Sequence, residues 1–214
     1  MPTVKELIDI YAHATGESRT RVNQLARRLI DDGLMPKSSG SDIKQVDAAS
    51  ALNLLFAIAF ADRVANAPEI ARQIAGLRLA PDHDEKAMAM LAKNFAIPPD
   101  GNLGEVAIAL LGPKVEADCQ IELIRSQDKI FFAKITIRID PKKIKKKNAI
   151  LKKVPKLDGF KVFAVVDLVF SNGDLNEAYN RVYRIGFDGF YALRTILPLS
   201  EPPMSEPVSG GGDG

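Results

Sequence analysis

Between Ser18 and Ile30 the chain sets Arg19, Thr20, Arg21, Asn23, Gln24, Arg27 and Arg28 in a stretch that no acid interrupts. Guanidinium groups fork onto guanine, the amides of Asn and Gln pair with adenine, and Thr or Arg holds a phosphate; these are the side-chain types of a helix that reads the DNA major groove. At helical spacing Val22, Leu25, Ala26, Leu29 and Ile30 share one face, with Thr20, Gln24 and Arg27 opposite, flanked by Asn23 and Arg28. Arg19 and Arg21 fall in the first turn. The same pattern suits an ordinary amphipathic helix with a solvated arginine face.

The elements that must position these residues are legible on both sides. Ser18 is placed to cap the helix, and Gly33 stands where helices commonly end in the left-handed conformation. Upstream, Thr3 and Glu6 form a T-x-x-E capping box ahead of Val4, Leu7, Ile8 and Tyr11, which predicts a helix over residues 3–14. Thr15-Gly16 then leaves a turn of three or four residues, the connection of a helix-turn-helix. Downstream, Pro36 and the run Ser38 to Ser41 are turn chemistry, and residues 43–46 alternate. Residues 34–46 are therefore expected to form a small loop or β-wing that carries Lys37 and Lys44 to the phosphates.

Helix, turn, arginine-bearing helix, GLMPKSSG and then VDAASALNLLFAIA resemble the winged or MerR-like helix-turn-helix domains of bacterial and phage regulators. They also resemble the N-terminal domains of some phage DNA-packaging subunits. The resemblance spans roughly residues 3–66 and implies binding to double-stranded DNA. It implies nothing about the remainder.

Composition bounds the other readings. The 214 residues, 46% hydrophobic and 26% charged, suit a globular chain with a real core. A single cysteine, Cys119, excludes an internal disulfide framework and fits a reducing cytoplasm. Lys5, Glu6 and Asp9 interrupt any secretory apolar segment, and the apolar stretch 57–61 is too short for a membrane span. A cytoplasmic protein without a membrane partner is expected. The net charge of +2 is small, and within residues 1–47 seven bases meet seven acids, so placement of charge matters more than its sum. Residues 141–157 concentrate eight lysines without an acid; Lys142, Lys143, Lys145, Lys146 and Lys147 make either a solvated loop or a phosphate-tracking patch.

Along the rest of the chain, Asp47 caps a long helix expected to reach about residue 67, apolar on most of its circumference. Such a helix must be wrapped by its own chain or by a second copy. Pro68 starts a helix over 69–76, a short helix is expected around 84–94, and Asn102 with Glu105 caps a helix that ends at Gly112-Pro113. Beyond Pro113 the period becomes two. Strands are expected over 115–123, 130–139, 161–170 and 180–187, and residues 190–197 suit a strand or a short helix. The tail 199–214 has the Pro, Ser and Gly content of disorder.

The fold class expected is α+β: helices in residues 1–112, with the helix-turn-helix at 3–33, and an antiparallel β region at 113–198. No phosphate-binding loop, nucleophile elbow or histidine pair with metal spacing is present. His83 between Asp82 and Asp84 lacks converging ligands, and the pair Asp31-Asp32 is read as solvated acids at a helix end. The chain is accordingly expected to be neither an enzyme nor a holder of a metal or cofactor. Two functions fit: a transcriptional regulator that reads duplex DNA as a homo-oligomer, or a structural subunit of phage DNA packaging or protein interaction.

Overall fold

The computed structural model describes residues 1–38, 42–79, 89, 91–93, 97–112, 117–126, 131–139, 164–171, 179–185 and 197. Helix α1 spans Val4–Thr15 and opens on the expected capping box, with the Thr3 hydroxyl accepting from the Glu6 N–H and the Glu6 carboxylate accepting from the Thr3 N–H. It ends at Gly16, whose φ of +72° is the left-handed region where a side chain would be strained. Helix α2 spans Arg19–Asp31, capped by the Ser18 hydroxyl, and Gly33 at φ +74° turns the chain out of it. Val22, Leu25, Ala26 and Leu29 are buried as their spacing requires.

Helix α3, Ala48–Phe60, is capped by Asp47 and buried everywhere except Ala49 and Asn53. It is shorter than the expected span to residue 67, because the backbone turns extended at Ala61. The carbonyls released there have partners from elsewhere: Phe60 accepts from Arg125 and Ala61 from Arg21. A 3-10 turn at Val64–Asn66 leads into α4, Ala67–Ala75, with Pro68 in its first turn. Helix α5, Leu103–Leu111, opens on the Asn102–Glu105 capping box, both bonds at 2.9 Å. Between α4 and α5, residues 89 and 91–93 are helical, and the rest of the expected 84–94 helix, His83 included, lies outside the described residues. Around α3 pack α2, α4 and α5, so its apolar circumference is wrapped within one chain.

The strands β1 (Arg78–Leu79), β2 (Ala117–Ser126), β3 (Phe131–Ile139), β4 (Ala164–Ser171) and β5 (Tyr179–Ile185) form one antiparallel sheet ordered β1-β4-β3-β2-β5. The fold is α+β. Alternation along β2 and β3 puts Cys119, Ile121 and Leu123 with Phe131, Ala133, Ile135 and Ile137 on the buried face. These residues and the helical ones form a single continuous core. Phe60 of α3 meets Phe131 of β3 edge to face, with centroids 5.8 Å apart. Residues 190–196, the lysine run at 141–157 and the tail 199–214 lie outside the described residues; Leu197 is buried.

Leu25 is fully buried in the seam between α2 and its neighbours. Leu25→Asp leaves a carboxylate there without a counter-charge, a cost of several kcal/mol. The expected outcome is loss of the cooperative thermal transition in circular dichroism, and a wild-type melt would show that α2 buries another face.

Candidate functional site

Helix α2 carries most of the residues with chemistry to offer, and its neighbours divide them into two groups. The first group has partners. Ser18 spends its hydroxyl on the Arg21 N–H. Arg19 forms a charge-assisted hydrogen bond with Asp9 of α1. Arg21, half-buried, donates from Nη2 to the Ala61 carbonyl at 2.6 Å and lies 3.5 Å from the Glu17 carboxylate. Arg28 sits 3.8 Å from Asp32, one turn on, and Asp32 is shared with Arg72 of α4. These contacts fasten α2 to α1, to the end of α3 and to α4.

The second group is open. Thr20, Gln24 and Arg27 are exposed and Asn23 is half-buried. No side-chain partner among the described residues engages Arg27. Gln24, Arg27, Arg28 and Asp31 join Val64 of the 3-10 turn in lining an open concavity of about 390 Å³. Its floor is the α2 surface and its side wall is the turn that follows α3. The site is mixed in charge, two guanidiniums and one carboxylate, and it faces outward from a helix whose far side is locked in the core.

Residues 34–46 differ from a β-wing. Residues 42 and 45 make only single-residue bridges, the latter to Thr3, and no strand runs through the described part of the segment. Its main chain is bonded instead to the segment ahead of α1 and to itself: the Val46 N–H donates to the Pro2 carbonyl at 2.9 Å, while the Lys44 N–H is taken by the Ser38 hydroxyl. Gln45 and Val46 thus lie against the residues that open α1, and Lys37 and Lys44 are exposed. Lys142, Lys143, Lys145, Lys146 and Lys147 lie outside the described residues.

Two residues of the concavity do not stand out in the sequence. Asp31 follows Arg27 by four and Gln24 by seven, a helical spacing that could have placed it on the same face. Reading it together with Asp32 as solvated acids hides the difference: Asp32 is paired twice, whereas Asp31 lines the concavity. Val64 reaches the site from beyond α3, and no local signal could have found it.

A second set of polar groups underlies the helix pair. The Tyr11 hydroxyl donates to the Ala51 carbonyl at 3.1 Å inside the core. Burial pushes its pKa above the ordinary tyrosine range, with Tyr183 of β5 adding to the effect. Tyr183 is itself shifted upward, by burial and then by the charge of Glu17. Both phenols therefore act as neutral donors or acceptors.

The Asp9–Arg19 contact has a pH signature. The hydrogen bond from Arg19 holds the Asp9 carboxyl below its usual value of 3.8, and the guanidinium is correspondingly held charged. A group whose pKa is depressed on folding contributes stability above its unfolded pKa and loses it as pH falls through the folded value. The link between α1 and α2 is therefore intact at neutral pH and weakens below about pH 4, in the range set by that usual value. Thermal melts of the wild type and Asp9→Asn should differ at pH 7 and draw together as pH falls below the usual carboxyl value. Because both side chains are exposed, the difference is small; a constant gap at every pH would deny Asp9 this role. Among the described residues no helix is long and apolar enough to cross a membrane, and no group of three or more His, Cys, Asp or Glu side chains converges as metal ligands would. Comparison with protein-family models, with curated proteins and with solved structures returns no match.

Proposed function

We propose that the protein binds double-stranded DNA, with α2 lying in the major groove, and that it acts as a transcriptional regulator. The observation that carries this reading is the division of labour on α2. Arg19 and Arg21 tie the helix to α1 and to the end of α3, and Asp32 at its C-terminus takes Arg72 of α4, while Thr20, Gln24 and Arg27 project outward. A recognition helix needs both halves of that arrangement. Its base-reading side chains must be free, and the helix that bears them must be rigid, because a base-edge hydrogen bond is lost when its donor wanders by an ångström.

The partial roles follow from chemistry. Gln24 suits adenine, Arg27 suits guanine, and Thr20 in the first turn suits a phosphate. Lys37 and Lys44, both exposed, add charge that does not choose among sequences. The mild net charge of +2 suits a protein whose affinity rests on a small local surface more than on its overall field.

Selection of bound fragments from random duplex DNA tests the proposal, with light scattering run beside it for mass. A common motif with twofold symmetry, and a dimer in solution, is the expected result. A ring of roughly eight or more subunits without a motif would favour a packaging role instead. On the selected duplex, Arg27→Ala should cost roughly 1 to 3 kcal/mol and relax choice at one or two positions. Replacing Lys37 and Lys44 together by Gln should weaken all duplexes alike and lower the slope of log affinity against log salt by up to about 0.9 for each phosphate that is no longer neutralised. If Arg27→Ala changes neither affinity nor preference, α2 is not a reading helix.

A further inference from the structure

Gln24, Arg27 and Asp31 recur along one face of α2 and line the same concavity. The next residues round the helix give an internal comparison. Arg28 and Asp32 have the same four-residue spacing as Arg27 and Asp31, and they pair, with Asp32 drawn further toward Arg72. Arg27 and Asp31 do not pair with each other, and neither side chain has a hydrogen-bond or ion-pair partner among the described residues. An exposed guanidinium and an exposed carboxylate thus stand side by side about one helical turn apart, both uncommitted.

A carboxylate is the wrong group for gripping DNA, because it repels every phosphate it meets. On a face used for binding it is tolerable only if it points at a donor. The major-groove floor offers such donors in the exocyclic amino groups of cytosine and adenine. Arg27 demands the opposite, a pair of acceptors, which guanine supplies at O6 and N7. Where a purine lies under Arg27 and a pyrimidine of the neighbouring base pair lies under Asp31, each residue chooses one of two adjacent bases. Adenine would turn an amino donor toward the guanidinium, and thymine would turn its O4 acceptor toward the carboxylate. Guanine and cytosine satisfy both.

We propose that Asp31 is a specificity-determining residue that, with Arg27, reads a guanine and a cytosine lying side by side on the major-groove floor, and that it repels other duplexes. The inference rests on the DNA-binding reading above and adds to it the identity of the bases and a residue that opposes non-specific binding. Asp31 sits in the last turn of α2, where an acid is disfavoured by the helix dipole, so its removal does not threaten the fold.

The test uses the full-length protein and a library of duplexes varied one position at a time around the selected sequence. With Asp31→Ala, preference for cytosine at one position should fall roughly tenfold, the size of one good base contact. Affinity for scrambled duplex should rise, and the guanine preference that Arg27→Ala abolishes should remain. Asp31→Asn, whose amide both donates and accepts, should move the cytosine preference toward adenine. If Asp31→Ala raises affinity for all duplexes and leaves every base preference intact, the carboxylate only repels and the base-reading role is overturned. If the wild type binds no duplex at all, the DNA-binding reading falls together with this one, and the two failures are told apart by that control.

Discussion

The structure depends on what happens where α3 stops. Phe60 and Ala61 lie at the end of the helix, where the last carbonyls have no intrahelical donors. One arginine from each flank supplies the missing donors: Arg125 from β2 to Phe60 at 3.2 Å, and Arg21 from α2 to Ala61 at 2.6 Å. Arg125 also bonds Asp62 at 2.7 Å, lies over the Phe131 ring, and is only 17% exposed. Phe60, packed edge to face on that same ring, is thus held from its side chain and its carbonyl at once. The sheet, the central helix and the outward-facing helix α2 meet at this break, and the 3-10 turn that follows it forms the side wall of the concavity.

Electrostatics divides along the same lines as packing. Arg19 and Arg21 find their acceptors on other elements, Asp9 of α1 and the Ala61 carbonyl, while Arg28 lies 3.8 Å from Asp32 at the end of its own helix, a carboxylate that also takes Arg72. Exposed ion pairs of this kind add little to stability individually. They tie α2 to its neighbours at two places, one pair spanning α1 and α2 and the Asp32–Arg72 pair reaching α4. Arg27 and Asp31 lack such ties and remain available to an outside partner.

Much of the architecture was local enough to be read from residue order. The capping boxes at Thr3–Glu6 and Asn102–Glu105, the Ser18 and Asp47 caps, the glycines at 16 and 33 and the proline at 68 are all short-range devices. Their effects close within a turn. The period-two alternation of β2 and β3 likewise named the buried face, Cys119, Ile121 and Leu123 against Ile135 and Ile137, because side-chain direction in a strand follows from position alone. The buried row of α2 was legible for the equivalent reason at helical period.

What the sequence left open was decided by contacts between distant segments. Apolar periodicity runs on past Phe60, so it could not show that α3 ends there; the donors that favour the break come from residues 21 and 125. Nor could it show that β5 pairs with β2 instead of β4, or that Arg78 and Leu79 leave the helical region to pair with β4, since strand order is settled by which apolar faces meet. Residues 34–46 read as a small wing because their turn residues are local, yet the Val46 N–H finds Pro2 and Gln45 bridges to Thr3. The same limit governed the candidate site. Residue types on α2 were visible in the sequence by itself, but whether each arginine faced a carboxylate, a carbonyl or open solvent depended on Asp9, Ala61 and Val64. Those residues lie on other elements, and only the folded chain brings them to α2.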